Sequence, residues 1–337
     1  MNKTALIGII VIVIILMGIA IYELYPKTTT KTATPISVWS ADAYTAEAQT
    51  LLNAFRSKYG IPVLTPKGGG SFGLAHEICI EGNKSGVTVF TPVALGAVTD
   101  LGKDNPGWAI AFVADHMAIA YTNTSINNNY AKEALNYANS GNWSAFFQVL
   151  TSGKVSVGIS NPNVDPAGFR AWIILEIAGY LYHHNETYYF NRMLYNKGNV
   201  TEPNAADFVS ALDTGHINFL FIYKSAAIAK HLEYISLPNK LNLGCVADSN
   251  FYYNFTYKLN TGIVHGEPIY LFITIPKVTN NYQEALQFVT FTIENSTLLS
   301  KYGLTPLHPA LLFNSTAVPP QIAKLISEGY LKIAGSL

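Results

Sequence analysis

The sequence predicts an α/β fold in two lobes, each a mostly parallel sheet with flanking helices, preceded by an N-terminal transmembrane helix. Three observations carry this expectation. Short β-rich runs alternate with helical patterns from Ile36 onward, the rhythm of parallel strands covered by helices. The strand–helix series occurs twice, with a long apolar run between its halves. A chain of 337 residues, 49% of them apolar, is long enough for two cores at roughly 150 residues per domain.

The elements follow in order. Residues 1–25 hold the anchor: Ala5 to Tyr22 is uncharged throughout, at the short end of a bilayer span. The segment stays bulky up to Glu23 and lacks the small-residue cleavage site of a secretory signal. Residues 26–35, rich in Thr and bounded by Pro26 and Pro35, are too polar to pack and read as a tether. Ile36–Trp39 is then a strand, Tyr44–Tyr59 a helix with Ala48, Leu51, Leu52 and Phe55 on one face, stopping at Gly60, and Ile61–Thr65 a strand. Phe72–Ile80 is a helix, Val87–Phe90 a strand and Pro92–Leu101 a helix. Trp108–Thr122 and Pro268–Pro276 read as crossover strands between the lobes. The second series comprises a strand at Val155–Ile159, a helix from Pro166 to His183, a helix near Ala205–Leu212, a strand at Phe219–Tyr223 and a helix at Ser225–His231, and closing helices follow Asn280. The first lobe is therefore expected over residues 36–118 and 270–337, the second over 119–269.

Composition narrows the function. Basic and acidic residues balance at 21 each, so no field draws a polyanion and no nucleic-acid partner is expected. Cys79 and Cys245 are the only cysteines, too few for a zinc site or a disulfide framework, and the eight histidines show no metal-binding spacing. Eight Asn-x-Ser/Thr sequons between Asn83 and Asn314 suit a glycoprotein whose body lies outside the cell membrane.

The densest motif is Lys67-Gly68-Gly69-Gly70-Ser71-Phe72-Gly73, after a strand and opening a helix. It matches a dinucleotide fingerprint in spacing, but no acidic residue ends the following strand. It also matches a hydrolase nucleophile elbow, yet too little globular chain precedes Ser71 for that fold. Bare amides and a hydroxyl at a helix start instead form an anion site, while the plain structural reading is a tight turn capped by Ser71. Ser40 and Ala41 end the first strand in an equivalent position. In the second series, Asp165 before Pro166 is a good helix cap. The same carboxylate could face the glycine loop and reach a high-valent metal inside a bound oxyanion.

On these segments the chain resembles the archaeal tungstate/molybdate-binding proteins of ABC importers, a family of extracellular solute-binding receptors. The carrying residues are Ser160-Asn161-Pro162-Asn163-Val164-Asp165-Pro166-Ala167-Gly168-Phe169-Arg170, Phe219 to Ala227, Gly303 to Ala310, and Gly70-Ser71 before a helix. The resemblance implies a type II periplasmic-binding-protein-like fold that closes on tungstate or molybdate, with no cofactor and no catalysis, and delivers it to a permease. It implies ligand contacts at Ser40, Ala41, Gly70, Ser71, Asp165, Ala167 and Tyr223, with Asp165 reaching the tungsten or molybdenum. Ala167 stands where the family has cysteine and Phe169 where it has tyrosine. Ile222, where a second carboxylate could come from, is not acidic. Sulfate, phosphate or an organic anion stays open as ligand, and a surface filament built on the apolar N-terminal helix is the reading from another class.

Overall fold

The computed structural model describes residues 34–195 and 199–337. The expected anchor and all but the end of the expected tether lie outside the described residues. Among the described residues no helix is long and apolar enough to cross a membrane.

Three sheets organise the body. Strands β1 (Val38–Ala41), β2 (Lys67–Gly69) and β3 (Val89–Thr91) form a parallel sheet in the order β2-β1-β3. The chain then enters β4 (Trp108–Asp115) and, after His116 alone, β5 (Met117–Tyr121). Strands β6 (Val157–Ser160), β7 (Asn199–Glu202), β8 (Phe219–Tyr223) and β9 (Glu233–Ser236) join β5 in a five-stranded sheet, order β7-β6-β8-β5-β9. A hairpin of β10 (Thr256–Lys258) and β11 (Ile263–His265) precedes β12 (Ile269–Ile273), and β13 (Thr305–Asn314) and β14 (Leu331–Gly335) complete a four-stranded sheet, order β12-β4-β13-β14. The three- and four-stranded sheets touch through Phe90 and Thr274, whose N–H groups each bond the other's carbonyl at 3.0 Å.

The three-stranded sheet is parallel as expected, but the four- and five-stranded sheets are mixed, which corrects the expectation of mostly parallel ones. β5 runs antiparallel to β8 and β9, and β4 antiparallel to β12 and β13. The reason lies in the connections: a single residue between β4 and β5 carries the chain from one sheet to another, whereas a parallel return needs a crossover of a dozen residues or more. The chain goes back between β11 and β12. Met117 and Ala118 therefore pair inside the five-stranded sheet, and Ile269 pairs with Asp115 in the four-stranded one. Ile61–Thr65 is not a strand but a single bridge from Val63 to Ile36, because Pro62 and Pro66 remove ladder donors on either side. The chain after Asn280 holds helices as expected, and also the unexpected ten-residue β13, whose pairing with β4 breaks between Pro306 and Leu311.

Helices land where their apolar spacing put them. α1 (Thr45–Tyr59) buries Ala48, Leu51, Leu52 and Phe55 and stops at Gly60, whose φ of 70° is left-handed, a conformation glycine adopts without a Cβ penalty. The Phe55 ring meets Phe288 edge-on at 5.2 Å, fastening α1 to the helix at Tyr282–Glu294. α2 spans Ser71–Glu81 and α3 Leu95–Thr99. α4 (Pro166–His183) is apolar on nearly every face and lies at the centre of its half, as an all-round hydrophobic helix must. α5 (Lys224–Ala229) follows β8 directly. Both cysteines are free thiols, and the sequon residues Asn83, Asn123, Asn142, Asn185 and Asn254 are exposed.

Candidate functional site

The carboxyl ends of β1, β2, β3, β6 and β8 meet where the sheets face one another, the place where ligands bind in open α/β sheets. β1 carries Ser40 and Ala41 there, in register with Gly68 and Gly69 of β2. Gly70 caps α2 and Ser71 is its first residue, so the cap is the glycine and not Ser71. The Ser71 hydroxyl accepts the Val93 N–H at 3.1 Å, which ties the end of β2 to the loop after β3. Ser40 and Ser71 are fully buried, and Ser40 Oγ has no hydrogen-bond partner.

From the other half, the Asn-Pro-Asn-x-Asp run folds into a turn. Val164 and Asp165 N–H groups bond the Asn161 carbonyl at 3.0 and 2.9 Å, and Asn163 N–H bonds Asn161 Oδ1 at 3.0 Å. This turn presents the Val164 carbonyl to the start of α2, where the N–H groups of Phe72 and Gly73 approach it at 3.2 and 3.4 Å. The glycine-loop amides expected to be bare are thus partly occupied, by a carbonyl from across the cleft. Gly70 is required for that approach, because a Cβ there would stand 2.4 Å from the Val164 oxygen and 2.8 Å from Asn204 Oδ1. Gly168 has a similar reason: its Cβ would meet the Ser160 carbonyl at 2.2 Å, so α4 can start flush against the end of β6 only with glycine.

Asp165 caps α4 as its sequence context predicts, its Oδ1 accepting the Ala167 N–H at 3.0 Å. Its Oδ2 accepts the Ala205 N–H at 2.9 Å, tying the cap to the 3₁₀ turn at Ala205–Phe208. Ala167, expected to touch ligand, has its N–H committed to this cap. Burial pushes the Asp165 carboxyl above the usual carboxylate range. Beside it stands Asp42, just after β1, whose Oδ2 accepts the Ala206 N–H at 3.1 Å. Burial and the neighbouring Asp165 charge push Asp42 up to about 7.

Tyr223 ends β8 with its hydroxyl buried. It accepts from Arg170 Nη1 at 2.7 Å, and Arg170 Nη2 donates to the Val93 carbonyl at 2.8 Å. The Tyr44 ring lies 5.4 Å from that of Tyr223, and its hydroxyl donates to Asp115 Oδ2 at 2.9 Å, where Ser225 Oγ also donates at 2.5 Å. This polar network spans the crossover between β4 and β5. Burial raises the Tyr223 and Tyr44 hydroxyls well above the usual phenol value, so both stay protonated donors. Ile222 is buried in β8, and among the described residues no group of three or more His, Cys, Asp or Glu could hold a metal ion.

Sequence reasoning brought Ser40, Ala41, Gly70, Ser71, Asp165 and Tyr223 to one junction but missed Asp42, Arg170 and the Val164 carbonyl. Arg170 stood at the end of the quoted motif, and its signal was a charged residue in the first, apolar turns of the helix. Asp42 and the Val164 carbonyl left no such mark, since their roles come only from the fold.

Two α/β bodies joined by short strand crossovers, their loops meeting at the strand ends, define a ligand-capturing protein of the periplasmic-binding-protein-like fold. The chain belongs to the bacterial extracellular solute-binding proteins, a family matched by residues 36–305. It is 41% identical to an uncharacterized solute-binding protein of Sulfurisphaera tokodaii over 90% of this chain and 83% of that one. The molybdate/tungstate-binding protein WtpA of Pyrococcus abyssi is 29% identical over 59% of this chain and 67% of its own. In fold the chain is similar to the Azotobacter vinelandii periplasmic molybdate-binding protein, with a TM-score of 0.57 at 16% identity, covering 80% of this chain and 98% of that one.

Proposed function

We propose that this protein is an extracytoplasmic receptor, held to the membrane by its N-terminal apolar segment, that captures tungstate or molybdate and presents it to an ABC permease. One observation carries the reading. Ser40, Ser71 and Tyr223 bring three buried hydroxyls to the facing strand ends, and none of them donates its proton to any acceptor among the described residues. Such neutral donors favour a fully ionised oxyanion, which only accepts hydrogen bonds. The Ser71 N–H, first in α2, has no intrahelical acceptor and adds a further donor. Each Asp165 oxygen carries one N–H bond and keeps a lone pair, which suits contact with a hard metal centre. In this reading the two lobes hinge at the two crossovers, Asp115–Met117 and Gly266–Ile269. Ligand contacts from both lobes stabilise the closed form by differential affinity. Exposed sequons suit an extracellular body carrying glycans.

Sulfate is the second reading, favoured by the apolar Ile222 where a second carboxylate would stand. Calorimetry of the full chain against tungstate, molybdate, sulfate and phosphate tests both. Tungstate or molybdate binding tighter than roughly 10 μM, about 7 kcal/mol, with weaker sulfate, supports the first; sulfate in the lead supports the second. Binding of none of the four refutes both.

A further inference from the structure

We infer that Arg170 is the positioning residue of the site: it sets the Ser71 and Tyr223 hydroxyls as donors toward the bound oxyanion. This rests on the oxyanion reading above.

Arg170 is only 1% exposed. The ion pairs among the described residues are Lys67–Glu77 and Lys324–Glu328, so the guanidinium is buried without a carboxylate in contact. A buried cation is costly unless its donors are engaged and opposite charge lies near, and Glu267 supplies such charge from beyond contact distance. Its contacts are neutral acceptors, Tyr223 Oη from the β8 end and the Val93 carbonyl from the loop after β3. Nε has no partner.

The consequence lies in the direction of the protons. A hydroxyl that accepts from a guanidinium must aim its own hydrogen elsewhere, so Arg170 fixes Tyr223 as a donor. Through the Val93 peptide it acts on Ser71 as well: Arg170 holds the Val93 carbonyl, and the Val93 N–H fills the acceptor side of Ser71 Oγ. A hydrogen-bonded chain Tyr223–Arg170–Val93–Ser71 thus joins the two halves, with one donor hydroxyl at each end. The charge in its middle is one hydrogen bond from Tyr223 and one peptide from Ser71. A dianion between these hydroxyls satisfies both donors together. Asp42, Asp115 and Asp165 are held by N–H and O–H donors of their own, and Glu267 acts on the guanidinium by charge without an ion-pair contact.

The test is calorimetry of the full chain with sodium tungstate and sodium sulfate, on wild type, Arg170→Met, Arg170→Lys, Tyr223→Phe and the Arg170→Met/Tyr223→Phe double variant. Arg170→Met is expected to weaken the preferred anion ~100-fold or more, as loss of a buried hydrogen-bonded charge does. Tyr223→Phe is expected to cost about tenfold alone but less than about twofold in the Arg170→Met background, because the hydroxyl is no longer oriented. Arg170→Lys, which keeps the charge but cannot span both acceptors, should lose roughly tenfold, and it carries the test if the methionine variant fails to fold. Wild-type affinity in Arg170→Lys, an effect of Arg170→Met under about threefold, or independent multiplication of the two single losses overturns the inference. A wild type that binds neither anion overturns the receptor reading itself, a separate outcome.

Discussion

Replacing Gly70 with alanine should separate the two halves of the molecule without unfolding either. The added Cβ would sit 2.4 Å from the Val164 carbonyl oxygen and 2.8 Å from Asn204 Oδ1, both belonging to the opposing half. Carbon and oxygen come to rest at about 3.3 Å or more, so the junction must open by about 0.9 Å there. The Phe72 N–H to Val164 bond, now 3.2 Å, and the Gly73 bond, now 3.4 Å, would both stretch past hydrogen-bonding range. At about 1 kcal/mol each, with the Asp42–Ala206 contact beside them weakened as well, the closed form loses roughly 2 to 3 kcal/mol. Affinity for the bound anion should therefore fall roughly 30- to 150-fold. Calorimetry reads that loss, and small-angle scattering of the same sample should show a larger radius of gyration with ligand present. Gly60→Ala is the control: nothing lies within 4 Å of its Cβ, and its φ of +70° strains only the helix end, so it should cost about 1 kcal/mol of stability and no affinity. Wild-type binding by Gly70→Ala would refute the argument that this junction closes on ligand.

Glu47 is fully buried with neither carboxylate oxygen bonded, and burial pushes its pKa from 4.5 up to about 8. The folded state keeps a proton that the unfolded chain releases, so this stability is complete below pH 4.5 and is lost as pH rises toward 8. Urea unfolding should show stability falling by up to ~1.4 kcal/mol per pH unit in that window, and Glu47→Gln should flatten the slope; an unchanged slope would count against the assignment. Asp165→Ala should remove about 1 kcal/mol of helix capping and weaken tungstate more than sulfate by calorimetry, whereas equal losses would mean the carboxylate serves only as a cap. Gly168→Ala, with its Cβ 2.2 Å from the Ser160 carbonyl, should lower stability by roughly 1–3 kcal/mol in thermal melts, and a neutral result would mean α4 can shift away from β6 freely.

The sequence by itself determined the local elements. The spacing of Ala48, Leu51, Leu52 and Phe55 set α1, and Asp165-Pro166 set the start of α4, because helix periodicity and capping are written within a few residues of chain. Phe219–Tyr223, apolar at every position, announced a strand buried on both faces. The serines and the aspartate at strand and helix ends were legible for the same reason, since a residue's place at the end of an element is a local property. The tertiary structure alone decided strand direction, which depends on where a one-residue crossover at His116 sends the chain. It alone set Asp42 beside Asp165, the Val164 carbonyl against α2, and Arg170 between Val93 and Tyr223. Each of these pairs joins residues far apart in sequence, and a hydrogen bond across a cleft leaves no periodicity, spacing or composition from which it could be read.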